Sequence, residues 1–149
     1  MPEKETIRRA QQDKREGKAP STQAGEFVRE EIEHIRHGKH GARSTKQAIA
    51  IGLQKARRAG VKLPPPAKGT TSERTRESAV HAIEEGRAHK KPSARRSRAT
   101  REALKHEGHS AASPKALSRQ ASSAARRRSA ASRSRAAKKA AATRKRARH

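Results

Sequence analysis

Three histidines recur at every third position, His34, His37 and His40, and Glu30 and Glu33 stand one helical turn before the first two. Imidazoles and carboxylates at such spacing are ligands for borderline divalent metals such as zinc or nickel. Gly38 intervenes, however, and ends a helix before His40, and the local sequence holds nothing that would keep the set rigid. The histidines are therefore read as partners of a helix C-terminus or of phosphate, and no metal or other cofactor is expected. The only acidic clusters are Glu30, Glu31 and Glu33, and Glu84 with Glu85. General acid–base chemistry needs two carboxylates converging on a shielded pocket. A chain this poor in large side chains cannot enclose one, so these residues are read as solvated faces paired with Lys and Arg. Serines are plentiful, but there is no G-x-S-x-G elbow and no glycine-rich phosphate loop. Cysteine is absent, which excludes thiol chemistry and a disulfide framework. Neither an enzymatic activity nor a small-molecule substrate is expected.

The chemistry that remains is cationic. The chain of 149 residues carries a formal net charge of +25. Residues 1–66 contribute +7, residues 67–89 nothing and residues 90–149 +18. From Gly108 to His149 there are 13 Lys and Arg and no carboxylate. Such a block repels itself until a polyanion neutralises it. No apolar run approaches the ~20 residues of a transmembrane helix, and none follows Met1 as a signal peptide would. A membrane-surface helix pairs its basic face with Trp, Phe or Leu, and residues 118–149 contain none of these. Nucleic acid is the partner left, contacted through phosphates that attract and position but do not specify. The expected contacts are Arg57, Arg58, Lys62, Lys115, Arg119, Arg126, Arg127, Arg128, Arg133, Arg135, Lys138, Lys139, Arg144, Lys145, Arg146 and Arg148. The single aromatic, Phe27, is claimed by the core. Base stacking on exposed aromatics, the habit of single-strand binders, is therefore disfavoured. Duplex DNA leads, and double-stranded RNA remains open.

What must position these residues is slight. Six Ile, four Leu, three Val and one Phe make 14 large aliphatic or aromatic residues in 149, far below the ~20% under which a highly charged chain is expected to be disordered. Any core is small and local. Residues 1–20 hold a first helix with one large apolar residue, Ile7, expected to fray, and a linker. Residues 21–66 are expected to form a helical hairpin. Its first helix opens at Ser21 or Thr22 and carries a stripe of Ala24, Phe27, Val28, Ile32 and Ile35. Its second opens with the capping box of Ser44 and Gln47, carries Ile49, Leu53 and Ala56, a stripe widened by Ala48, Ile51 and Gly52, and stops at Gly60, with Val61 as the apolar contact of the stop and Pro64–Pro66 preventing continuation. Residues 67–117 read as weak helices, one opening near Thr70 and Glu73 with Val80 and Ile83, another at Ser113–Pro114. Residues 118–149 are Ala, Ser, Arg and Lys, expected to be a disordered tail. The fold class is thus all-α: a small helical hairpin, weak helices, then a largely disordered cationic C-terminal tail.

Residues 29–58 laid without gaps on 98–127 give 10 identities in 30, among them His37, His40, Ser44, Lys46, Arg57 and Arg58 against residues 106, 109, 113, 115, 126 and 127. Leu104 stands opposite Ile35, but Ile49 meets Ser118 and Ile51 meets Gln120. The second segment reads as a decayed copy that keeps the cations and turn residues and drops the core.

The stretch "EFVREEIEHIRHGKHGARSTKQAIAIGLQKARRAG" resembles a family of small basic bacterial proteins that share a K-Q-A-I-A-I-G/A-L core and are described only as DNA-binding proteins or domains of unknown function. The resemblance covers about residues 3–66, and 97–128 is similar to the family's basic extension. The tail is similar in composition to bacterial histone-like and linker-histone C-terminal regions. The resemblance implies DNA binding, in the bacterial cytoplasm and on the nucleoid, and implies no catalytic residues. The function expected is therefore histone-like duplex binding without sequence preference. The rivals are a protein-interaction module with a localising basic tail and an RNA- or ribosome-associated protein.

Overall fold

A computed structural model describes residues 1–148, which form seven α-helices, one short 3-10 turn and no strand. The helices are α1 (Lys4–Arg15), α2 (Pro20–Arg36), α3 (Thr45–Arg58), α4 (Glu73–Arg87), α5 (Ala94–Lys105), α6 (Pro114–Arg127) and α7 (Ala130–Ala147), with the 3-10 turn at Ser110–Ala112. The chain divides into two compact units, Met1–Ser113 and Pro114–His149.

In the first unit α2 and α3 form the expected hairpin. Ser44 caps α3 by accepting from the Gln47 amide at 3.2 Å, and the Gln47 side chain reaches back to the Arg43 amide at 2.7 Å. The box closes one residue earlier than its usual form, which returns to the cap residue itself. At the other end Gly60 adopts φ +89°, and the Val61 amide donates to the Ala56 carbonyl at 3.0 Å, the left-handed stop that only glycine accepts without strain.

The face α3 buries is not the one its large residues mark. Thr45, Ala48, Gly52 and Ala56 are buried, whereas Ile49, Ile51 and Leu53 are half-exposed. Small residues one turn apart let the helices approach closely. A Cβ on Gly52 would lie 2.6 Å from the Val28 Cα and 2.9 Å from its amide nitrogen. Backbone cannot rotate aside as a side chain can, so Gly52→Ala should lose about 1–2 kcal/mol: an overpacking cost of roughly 1–3 kcal/mol outweighs a helix-propensity gain of at most ~1 kcal/mol. Gly25, in mid-α2 with nothing within 4 Å of its Cβ position, is the control. Gly25→Ala should raise the urea midpoint while Gly52→Ala lowers it; a rise for both would mean the crossing is not tight.

The other elements of this unit also use small or polar residues. α1 does not fray: Thr6, Ala10 and Asp13, four and three residues apart, pack on α2, and Arg9 Nε donates to Glu26 Oε2 at 2.6 Å. Ala10, Ala24, Phe27 and Ala56 form one cluster of the core, edged by Ile7, Leu53, Val61 and Leu63, and Ile32 and Ile35 of α2 are buried as well. α4 begins two residues later than its expected box, with Ser72 accepting from the Thr75 amide. It lays Ala79, Ala82 and Gly86 on α3, so closely that a Cβ on Gly86 would collide with the Arg57 carbonyl.

The offset that aligns residues 29–58 with 98–127 is matched at the element boundaries. α2 ends at Arg36 and α5 at Lys105; α3 spans Thr45–Arg58 and α6 Pro114–Arg127. Every one of these limits is displaced by the same offset that aligns the sequences. The turns after α2 and α5 bond to each other, Gly41 N to Leu104 O at 2.9 Å and Ala42 N to Gly108 O at 3.0 Å. Thr45 Oγ1 donates to Ala111 O at 2.6 Å, and Arg36 Nε to Ala112 O at 2.9 Å.

The second unit corrects the expectation of a disordered tail over 118–149. α6 begins at Pro114, as the Ser113–Pro114 pair predicts, and runs to Arg127. Ser129 then restarts the chain by accepting from the Ser132 amide at 3.1 Å, and α7 continues to Ala147. Between residues 115 and 148 there is no Gly or Pro, and Ala, Arg and Lys are all strong helix formers. Propensity and the cap prevail over repulsion between like charges one turn apart, worth only a few tenths of a kcal/mol per pair. Neither helix buries a residue.

Candidate nucleic-acid interface and a buried histidine–carboxylate cluster

All thirteen cations of the second unit are exposed: Lys115, Arg119, Arg126, Arg127, Arg128, Arg133, Arg135, Lys138, Lys139, Arg144, Lys145, Arg146 and Arg148. Their arrangement follows from where the two helices start. On α6, Lys115, Arg119 and Arg126 fall within about 40° of one another at ~100° per residue, forming one basic row. On α7, Arg135, Lys139 and Arg146 make a row of similar width, Lys138 and Lys145 a second, and Arg133 and Arg144 a third. α7 is thus basic on three sides. Arg128 sits in the break, its guanidinium 3.2 Å from Ser132 Oγ.

The cations expected to act from α3 are placed differently. Arg57 is buried, and its guanidinium donates to the Pro64 carbonyl at 3.0 Å, which ties the proline segment back onto α3. Burial lowers its pKa from the ordinary value, though a guanidinium stays charged. A phosphate has no access to it, so Arg57 leaves the interface. Arg58 Nε faces Glu85 Oε2 at 3.0 Å across the α3–α4 contact. Lys62 is exposed beyond the end of α3. The sixteen expected contacts therefore do not form one surface: thirteen belong to the second unit, and Arg57 and Arg58 hold the first together.

The acidic residues depart furthest from expectation. Glu31 is fully buried and Glu30 nearly so; Glu33 keeps the solvated role, paired with Arg29 at 3.0 Å, and Glu84 is exposed. Glu30 Oε2 accepts from the Glu3 amide at 3.1 Å, fixing the start of α1. Glu31 Oε1 accepts from the Lys55 ammonium of α3, which also lies 3.8 Å from Glu30 Oε1. Glu31 was within reach of sequence reasoning, because Ala24, Phe27, Glu31 and Ile35 follow one another at three, four and four residues, on the apolar stripe itself.

Around Glu31 stand two of the three histidines. α2 ends as Gly38 takes φ +71°, and the Lys39 amide returns to the His34 carbonyl at 2.9 Å. Gly38 does end the helix before His40, but the turn it makes folds His40 back. The His34 and His40 rings meet edge to face, with centroids 6.0 Å apart. His40 Nε2 lies 3.2 Å from Glu31 Oε2, and His34 Nδ1 lies 3.9 Å from Glu31 Oε1. His37 points to solvent. His34 Nε2 meets Glu3 Oε1 at 2.9 Å, and Lys39 Nζ meets the same oxygen at 3.0 Å. Those two bonds, His34 first, hold the Glu3 carboxyl down at about 2.

A family model described as "Family of unknown function (DUF6496)" matches residues 4–68. The matched span takes in α1–α3 and the turn that carries His40, and it stops before α6 and α7. No curated protein and no solved structure matches the chain.

Proposed function

We propose that this protein binds duplex nucleic acid, DNA first, without sequence preference, through phosphate contacts of α6 and α7. The observation that carries the reading is the thirteen exposed cations, without one acidic side chain among them, eleven set on two consecutive helices and Arg128 and Arg148 just outside them. A major groove about 12 Å wide accepts an α-helix. An eighteen-residue helix such as α7 is about 27 Å long at 1.5 Å per residue, and cations on three sides of it reach phosphates on both walls. The Ala, Ser, Thr, Arg and Lys of α7 provide no bidentate amide contacts to adenine and no apolar wedge between base steps. The only Phe, Tyr or Trp, Phe27, is buried, so no base can stack on it, which favours duplex over single strand. No helix among the described residues is long and apolar enough to cross a membrane. The cellular role that goes with this reading is histone-like coating of the bacterial nucleoid.

Gel shifts with unrelated duplex DNAs, single-stranded DNA and double-stranded RNA over a salt series test it. If about half the thirteen cations touch phosphates, log K falls against log salt with a slope of roughly −6, alike for every DNA duplex. A slope near zero, or one sequence bound far above the rest, would overturn the proposal. Preference for double-stranded RNA would move the protein to an RNA-associated role.

A further inference from the structure

We propose that Glu31, His34 and His40 form a binding site for a borderline divalent cation of the zinc type. Each offers one donor atom, and the three donors lie within 4.8 Å of one another. Donors around one tetrahedral zinc sit roughly 3.3 Å apart, given bonds of about 2.0–2.1 Å. The His40–Glu31 pair, at 3.2 Å, is already at that spacing, and His34, whose Nδ1 is 3.9 Å from Glu31 Oε1, must close in.

The protons on the two rings argue for a cation independently of the distances. A carboxylate and a carbonyl only accept, so a neutral ring gives its single proton to the nearer of the two oxygens it meets. His34 gives Nε2–H to Glu3 Oε1 at 2.9 Å, and His40 gives Nδ1–H to the Gly41 carbonyl at 2.9 Å. In the neutral rings the remaining nitrogens, His34 Nδ1 and His40 Nε2, carry lone pairs, and these are the two that face Glu31. Metal-binding histidines are oriented in this way, with the far nitrogen donating to a carboxylate or a backbone carbonyl.

The second observation is Glu31 itself. Its side chain is fully buried, and Oε2 has no hydrogen-bond partner. A buried carboxylate oxygen facing imidazole lone pairs is an unfavourable arrangement that a cation between them relieves. Lys55 does not fill that place, because its ammonium is on Oε1 and extends toward Glu30. The site has an entrance, a cleft of about 260 Å³ lined by Met1, His34, Lys39, His40, Lys55 and Arg101. Three protein ligands leave a fourth position for water from this cleft. The cation would fasten the turn after α2, the same turn whose Gly41 and Ala42 amides hold the α5 segment.

The test uses the full chain stripped with chelator and titrated with zinc against a chromogenic competitor, the thermal midpoint being followed at 222 nm. One zinc per chain and a raised midpoint are expected. X-ray absorption should show two imidazoles and otherwise oxygen. His40→Gln should weaken binding at least tenfold and abolish the rise in midpoint, and Glu3→Gln, which removes an orienting acceptor, by about tenfold. His37→Gln should change nothing. Circular dichroism without metal shows that each variant is folded; if His40→Gln is not, Glu3→Gln decides alone. Absence of binding at micromolar zinc would overturn the site. So would binding that survives the His40 and Glu3 variants and disappears with His37. The cluster is within residues 1–113, so its outcome is independent of nucleic-acid binding by α6 and α7.

Discussion

In chelator-treated protein, Lys55→Met should destabilise the Met1–Ser113 unit by about 3 kcal/mol, lowering its thermal midpoint by on the order of 10 °C. Glu31 is fully buried in α2, and the Lys55 ammonium of α3 is hydrogen-bonded to it. Methionine keeps most of the stem that packs on α2 and removes only the charge. The carboxylate is then left in a low-dielectric site between two imidazoles, the situation for which losing one partner of a buried pair costs roughly 3–5 kcal/mol. The lower end applies because the Lys55 side chain keeps 25% exposure and is partly hydrated. Removing the other charge as well tests the cause. Glu31→Gln added to Lys55→Met should recover most of the loss, since no uncompensated charge remains, and the two changes should be strongly non-additive. Equal melting of Lys55→Met and wild type would show that the pair contributes nothing and that Glu31 is solvated after all.

That pair also shows where the sequence runs out. Local signals read well because their physics is local: the Ser44 cap, the Gly60 stop and Pro114 at the start of α6 each depend on residues within one turn. The α2 stripe also reads well, since Ala24, Phe27, Ile32 and Ile35 are buried as expected, but the faces of α1 and α3 read poorly because bulk does not mark them. α3 buries Ala48, Gly52 and Ala56 rather than Ile49 and Leu53, and α1 buries Thr6, Ala10 and Asp13. With only 14 large apolar residues available, close approach of small ones replaces bulk, so α1 is ordered where its composition suggests fraying. Of the histidine cluster, the spacing is visible in the sequence and the geometry is not. His34, His37 and His40 are evenly spaced, but the left-handed Gly38 turns His40 inward and leaves His37 outside. Lys55, which neutralises Glu31, lies 24 residues away on another helix, beyond any local pattern. The tail departs from expectation for an energetic reason: over a long run without Gly or Pro, helix propensity outweighs like-charge repulsion.

Removing residues 114–149 should reduce affinity for duplex DNA at least a hundredfold at about 0.1 M salt and flatten the salt slope, while leaving the melting of the first unit unchanged. Total charge alone would not forecast this. Residues 1–113 hold 26 Lys and Arg against 13 in the deleted segment. Part of the difference is in their partners, since several cations of the first unit already face a carboxylate. In the first unit Arg8 faces Glu5, Arg9 faces Glu26, Lys18 faces Asp13, Lys39 faces Glu3 and Arg58 faces Glu85, each within 3.0 Å. A phosphate must compete with those carboxylates for each cation, whereas the second unit has no carboxylate to displace. Phosphate binding is driven by the counterions released from the DNA, at about 0.9 per phosphate neutralised, so cations already satisfied within the protein add little. The rows on α7 allow a finer measurement in the full-length chain. Arg135, Lys139 and Arg146 changed together to Gln keep good helix formers and should make the slope shallower by up to roughly 3, close to 0.9 for each phosphate no longer neutralised. Unchanged affinity after the truncation would place binding on the first unit and remove α6 and α7 from the interface. An unchanged slope in the triple variant, with affinity still reduced on truncation, would move the binding to the Lys138–Lys145 and Arg133–Arg144 rows or to α6.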